Sequence, residues 1–186
     1  MLLPATIHNQ RGRIPCLSNL KQINIAFIMY AADNAGKFPM NFSGTNGNMT
    51  TSVGNGEVSP IIQKLSPYCG HNPAILVCPS DVDRHATTNF EELTDLNISY
   101  FINADASANN SAFSILAGDR NLEAASQPVK PGLFVLTTNV YMRWTDSLHK
   151  RRGCLGFTDG HAQLAGTNLN SIIQNQPLAI NRLCVP

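Results

Sequence analysis

His149-Lys-Arg-Arg-Gly-Cys-Leu-Gly-Phe-Thr-Asp159-Gly160-His161 is the stretch whose reading decides the fold class of this chain. It reads as a loop that runs into a strand and then into a tight hairpin. Asp-Gly is a strong two-residue hairpin signal, because a type I′ turn needs positive φ at both central positions. Leu155 and Phe157 before the turn, with Ala162 and Leu164 after it, supply alternating apolar strands. A hairpin at 153–165 is therefore expected, with Asp159-Gly160 as its turn. His149, ten residues before Asp159, and His161, just after the turn, are more than a hairpin requires.

Working outward, residues 13–35 predict an amphipathic helix. Leu17, Leu20, Ile23 or Asn24, Phe27 and Tyr30 or Ala31 recur at three- and four-residue spacing. Gly36 suits a left-handed C-cap, and Pro39 stands where a helix has ended. From Asn41 to Glu57 the composition turns to Asn, Gly, Ser and Thr, the mark of a long surface loop. Ser59-Pro60 opens a short helix, with Ser as N-cap and Pro at the first helical position. Strands are expected at 74–78, 98–103, 112–117 and 133–139, the last with a continuation to Trp144. One more helical turn is expected at 171–176. One long helix followed by short strands indicates an α+β domain with a mostly antiparallel sheet and long loops.

Composition narrows the function classes. With 186 residues and 43% hydrophobic content, the chain suits one domain with a real core. We divide it into helix (1–36), central sheet and loops (37–148), and terminal hairpin and tail (149–186). Only 13% of residues are charged, so Asn, Ser, Thr and Gln must supply the polar surface, a profile that suits an exported protein. A net charge of +1 offers no phosphate-directed field, which argues against nucleic-acid binding. Lys150-Arg-Arg152 reads as a solvated loop, with an anion-docking site as the sharper alternative. Of the five cysteines, Cys69 and Cys78 flank a short loop and are expected to pair, and Cys154 with Cys184 would tie the tail to the hairpin. Cys16, on the apolar side of the helix, is expected as a buried thiol.

Taken together, several blocks resemble one family. His149-x9-Asp159-Gly160 matches the H-X9-DG signature found at the C-terminus of prepilin-like, type II secretion-like bacterial proteins. Leu2-Leu-Pro-Ala5, Ile14 to Ile23 and Tyr30 to Pro39 are similar to that family's region after its membrane helix. Cys78-Pro-Ser-Asp81 and Ser99-Tyr-Phe-Ile-Asn103 match its middle blocks, in the same order. The resemblance implies a pilin-like fold, with the N-terminal helix packed on the sheet. It implies a structural subunit of a type II secretion or type IV pilus-related envelope assembly, with other pilin-like subunits as partners through that helix. It further implies a bacterial inner-membrane anchor preceding this sequence, with the domain in the periplasm or on the cell surface; a soluble cytoplasmic homologue is the alternative. Without the anchor, a monomer or weak dimer is expected.

Candidate chemistry centres on His149, Asp159, His161, Asp119, Asp146 and the set Asp81, Asp83 and His85. In the bland reading His149 ties its loop to a backbone carbonyl or to Asp159, Asp159 forms the turn, and His161 lies at the surface. In the sharper reading Asp81, Asp83, Asp119, His149 and Asp159 contribute to a metal site. The resemblance to major pseudopilins implies calcium, and Asp81-Val-Asp83 is a faint calcium-loop echo; the mixed His/Asp set also suits a transition metal. No catalytic residues and no other cofactor are expected. The competing class is an exported carbohydrate-binding module or metal-dependent hydrolase, with loop 41–57 and segment 149–161 lining a pocket furnished by Tyr141 and Trp144.

Overall fold

The computed structural model describes residues 13–43, 49–137 and 139–186. Three expectations fall partly outside them: the stretch 1–12 of the N-terminal segment and its family-like block, positions 44–48 of the long loop, and position 138 of the strand expected at 133–139.

Helix α1 spans Arg13–Asp33, and its inner face buries Cys16, Leu20, Ile23, Asn24, Phe27 and Ala31. The apolar spacing selects that face, since residues three and four apart stand over one another. The helix ends as expected: Gly36 lies at φ +74° and its N–H returns to the Ala31 carbonyl at 2.8 Å. Beyond it, Phe38 folds back so that its ring meets Phe27 edge-on at 5.5 Å.

Between helix and sheet the chain makes short helices and turns. α2 is Thr50–Asn55 and α3 is Ser59–Gln63. Ser59 is the first residue of α3 and not its cap; Asp95 does the capping from a distance, its carboxylate accepting from the N–H groups of Val58 and Ser59. The strand expected at 74–78 is instead a 3-10 turn, Pro73–Leu76, with the Asn72 side chain accepting from the Ala74 N–H. Pro73 lacks an N–H and fixes its own φ, which favours the start of a helical turn over a ladder strand.

The main sheet has six antiparallel strands in the order β5-β9-β1-β2-β7-β8. These are β1 (Tyr100–Asn103), β2 (Ile115–Asp119), β5 (Gly132–Thr137), β7 (Gly153–Phe157), β8 (Ala162–Ala165) and β9 (Ile180–Val185). A small second sheet, β4-β3-β6, joins β3 (Leu122–Ala124), β4 (Gln127–Pro128) and β6 (Met142–Trp144). The run to Trp144 is therefore a separate strand, not a continuation of β5. The residues taken as a C-terminal tail form β9, between β5 and β1. Helix α4 (Asn170–Gln174) follows β8. The mixed α/β content with antiparallel sheets matches the expected class.

β1, β2 and β7 are buried along their whole length, because both faces of the sheet are covered. On one side Tyr100, Ile102, Leu116 and Cys154 pack with α1 and the 49–98 segment. On the other, Phe101, Leu155, Phe157 and Leu183 pack with Trp144, Leu169 and Ile173. Helix α1 lies chiefly over β7 and β8, so the hairpin is its floor.

Candidate functional site

The hairpin differs from the simplest Asp-Gly turn. Gly160 N–H bonds the Phe157 carbonyl, Phe157 N–H bonds the His161 carbonyl, and Gly160 alone in the loop has positive φ, +90°. This is a three-residue loop, Thr158-Asp159-Gly160, with glycine at the left-handed position. Thr158 explains the extra residue: its N–H and hydroxyl reach the carbonyls of Ser114 and Ser111, at 3.0 and 2.8 Å. Asp159 accepts from the backbone and ring of His161. Burial works to raise the Asp159 pKa, but these bonds and the imidazole outweigh it and hold the carboxyl below its ordinary value. His161 stacks flat on Phe157, centroids 4.3 Å apart.

His149 does not meet Asp159. Its side chain turns inward, only 2% exposed, with Nε2 at 3.3 Å from Cys78 Sγ and 3.5 Å from Asp119 Oδ2. The loop makes this possible by placing Lys150 and Arg151 in the left-handed region, at φ 52° and 60°. Non-glycine residues there cost about 1–2 kcal/mol each. Arg151 N–H bonds the Thr145 carbonyl, and Asn121 brackets the loop by donating to the carbonyls of Thr145 and Arg152. The three basic side chains of this loop are exposed, and Arg151 pairs with Asp146.

Cys78 is half of a disulfide with Cys16, the only one among the described residues. This overturns the expected pairs: Cys69, Cys154 and Cys184 are free. Cys16 falls in phase with Leu20, Ile23 and Phe27 on the inner face of α1, so the helix delivers it to the turn that carries Cys78. Cys184 lies on β9 and Cys154 on β7, with β1 and β2 between those strands, so the two thiols are not neighbours. The bond crosslinks the first turn of α1 to the body of the domain.

Asp119, Arg120 and Asn121, at the end of β2, each hold a different segment. Asp119 Oδ2 accepts from the Cys154 N–H at 2.7 Å, while its Oδ1 has no hydrogen-bond partner among the described residues. Complete burial pushes the Asp119 carboxyl up to about 7, despite the hydrogen bonds from Cys154. His149 is held down to about 4, by burial and by the nearby charge of Arg13. Burial and the Asp119 charge raise the Cys154 thiol, which therefore stays protonated. Arg120 makes a two-pronged pair with Asp81, both contacts at 2.8 Å, and a third contact with Asp83. Burial acts to raise Asp81, but the bonds from Arg120 and Ser99 and the guanidinium charge prevail and keep it low.

The proposed ligands therefore do not assemble as one oxygen cage. Asp81 and Asp83 are engaged by Arg120, and Asp159 by His161. Only Asp119 and His149 come together, in the company of sulfur. Calcium favours six to eight oxygens; an N, O and S donor set suits a softer cation. His85 bears on none of these groups through a side-chain bond, its carbonyl accepting from Asn97. Trp144 is fully buried, with its ring directly over Gly153, so it offers no face for sugar stacking, whereas Tyr141 is half exposed. Within loop 41–57, Asn41 ends a 3-10 turn, Phe42 packs on Tyr30 of α1, and residues 50–55 form α2, which packs on β5 and lies beside Cys184 of β9. Two strands, β1 and β2, separate that helix from the hairpin.

Sequence reasoning missed Asn24. It is fully buried, and its Nδ2 donates to the His161 carbonyl at 3.1 Å. A Cβ placed on Gly156 would lie 2.1 Å from that amide nitrogen. The signals were an Asn interrupting an apolar run and a glycine inside a strand, which marks close approach of another group. Compared with models of known protein families, with curated proteins and with solved structures, the chain has no match.

Proposed function

We propose that this chain is the folded domain of a structural, pilin-like subunit of a bacterial envelope assembly, in which α1 joins an anchoring segment to the sheet domain. The observation that carries this reading is how α1 is fixed. A disulfide holds its first turn, Asn24 keys into the gap at Gly156, and Ile28 rests on the Gly160 turn. Both halves of the His149-x9-Asp159-Gly160 signature thus serve the helix, His149 at its start and Gly160 near its middle. A helix so fixed transmits force to the domain without peeling away. Its outer face still presents Ile14, Ile25 and Met29 to solvent, an apolar strip suited to neighbouring helices of like subunits. The domain then stands in the periplasm or on the cell surface, tethered to the inner membrane by the segment before α1. Among the described residues no helix is long and apolar enough to cross a membrane.

The test is photo-crosslinking in cells that express the gene from its native start, with the reactive residue at Ile25 or Met29. The expected result is fractionation with the inner membrane and crosslinks between subunits. A product that is wholly soluble and gives no crosslinks from either position overturns the reading.

A further inference from the structure

The cluster around His149 has a second capacity, independent of any role in assembly. Two triads of donor atoms share this histidine: Cys16, Cys78 and His149, and Asp119, His149 and Cys154, with the donors of each triad within 4.8 Å of one another and all buried. We propose that opening the Cys16–Cys78 disulfide converts this cluster into a site for one zinc-class divalent cation, held by Cys16, Cys78 and His149, with Asp119 drawn in as the fourth ligand.

Geometry argues first. Zinc bonds of about 2.0–2.1 Å to imidazole, 2.3 Å to thiolate and 2.0–2.2 Å to carboxylate set tetrahedral edges of about 3.6 Å for N···S and about 3.4 Å for N···O. His149 Nε2 already stands 3.3 Å from Cys78 Sγ and 3.5 Å from Asp119 Oδ2. The N···S edge is in place before any cation arrives; Asp119 shares a donor group with His149 and not with Cys16 and Cys78, so it is the neighbour that must move to complete the tetrahedron. The two sulfurs must part to about 3.7 Å, which breaking their bond permits. The unpartnered buried Oδ1 of Asp119 is a second mark of unused ligating capacity.

The chemistry balances. A dithiol reductant supplies two electrons and two protons, is itself oxidised to a disulfide, and leaves Cys16 and Cys78 as thiols. Cation binding then expels those two protons to solvent as the thiolates form. Two thiolates neutralise the dication, and the Asp119 charge acts in the same field as Arg13, whose own charge acts on both Asp119 and His149. The site exists in the chain before its disulfide forms and closes when it does.

Cobalt(II) is the probe, because thiolate ligation gives it a sulfur-to-metal charge-transfer band. The chain, carrying Cys69→Ser to remove the one half-exposed free thiol, is reduced with dithiothreitol, freed of reductant without air, and titrated. The expected result is one cobalt per reduced chain with the thiolate band, displacement by zinc, and no such band in the oxidised chain. If the reduced, metal-free chain loses its circular dichroism, stoichiometric cobalt must restore it, since binding is then coupled to folding. His149→Gln is expected to weaken binding by at least about 100-fold, beyond the loss for an outer-sphere partner. A reduced chain that neither binds nor refolds, an oxidised chain that gives the same band, or a band indifferent to His149→Gln each overturns the site.

Discussion

Gly156→Ala probes the seat of α1 directly. The added Cβ would sit 2.1 Å from Asn24 Nδ2, 2.6 Å from Oδ1 and 2.7 Å from Cγ, against an ordinary contact of about 3.5–4.0 Å. Asn24 is fully buried, so its amide has no open space to swing into. Either the amide abandons the His161 carbonyl, losing about 1 kcal/mol of hydrogen bond, or the helix lifts at an overpacking cost of about 1–3 kcal/mol. Reduced freedom of the unfolded chain returns about 0.4–1 kcal/mol, leaving a net loss of up to about 2.5 kcal/mol. Asn24→Ala alone should cost about 1–3 kcal/mol through the lost bond and the space left behind. In the double variant the new methyl occupies part of the vacated amide site, so its cost should fall short of the sum by about 2 kcal/mol. Urea unfolding of the four oxidised proteins at a common m-value gives the coupling. Additivity within about 0.5 kcal/mol would refute the close packing of helix on strand.

Removing the disulfide with Cys16→Ala and Cys78→Ala frees a loop with a sequence separation of 62, which chain entropy values at about 4 kcal/mol; a loss below about 1 kcal/mol in urea unfolding would contradict the crosslink. His149→Ala and Asp159→Ala act at separate places in this structure, so their costs should add within about 0.5 kcal/mol, and a coupling above about 1 kcal/mol would restore the direct loop-to-turn bond. Asp119, raised to about 7, stabilises the fold fully below pH 4 and loses that contribution as pH climbs through 7. His149, lowered to about 4, contributes fully above about pH 6.5 and loses it as pH falls through 4. With Arg13, Asp81 and Cys154 as their charged and titratable neighbours, the two opposing trends largely cancel in the native chain. Asp119→Asn should therefore make stability rise by roughly 3 kcal/mol from pH 4 to 6.5, and His149→Gln should make it fall over pH 4 to 7. Matching flat profiles in both variants would contradict the buried pair.

The elements with a strong local period were legible from the residues alone. Helix α1 and the β7–β8 hairpin follow from spacing that physics reads one segment at a time. β9 was not legible, because its sequence, Ile-Asn-Arg-Leu-Cys-Val, becomes a strand by pairing with β5 and β1 across the sheet. The 74–78 segment misled through its apolar run, since Pro73 turned the same residues into a 3-10 turn. His149 was singled out and is buried, yet its partner was not foreseeable: a spacing of ten residues from Asp159 says nothing of how two left-handed residues rotate the loop inward. Cysteine pairing failed for the same reason. Short spacing favoured Cys69 with Cys78, whereas the register of α1 against the core brings Cys16 there.

That register places one covalent bond, and peptide mapping tests it most directly. The purified chain is unfolded without reductant, alkylated at its free thiols and digested. The account predicts a linked pair of peptides carrying Cys16 and Cys78, with the alkyl label on Cys69, Cys154 and Cys184. A Cys69–Cys78 or Cys154–Cys184 link, with Cys16 labelled, would contradict it.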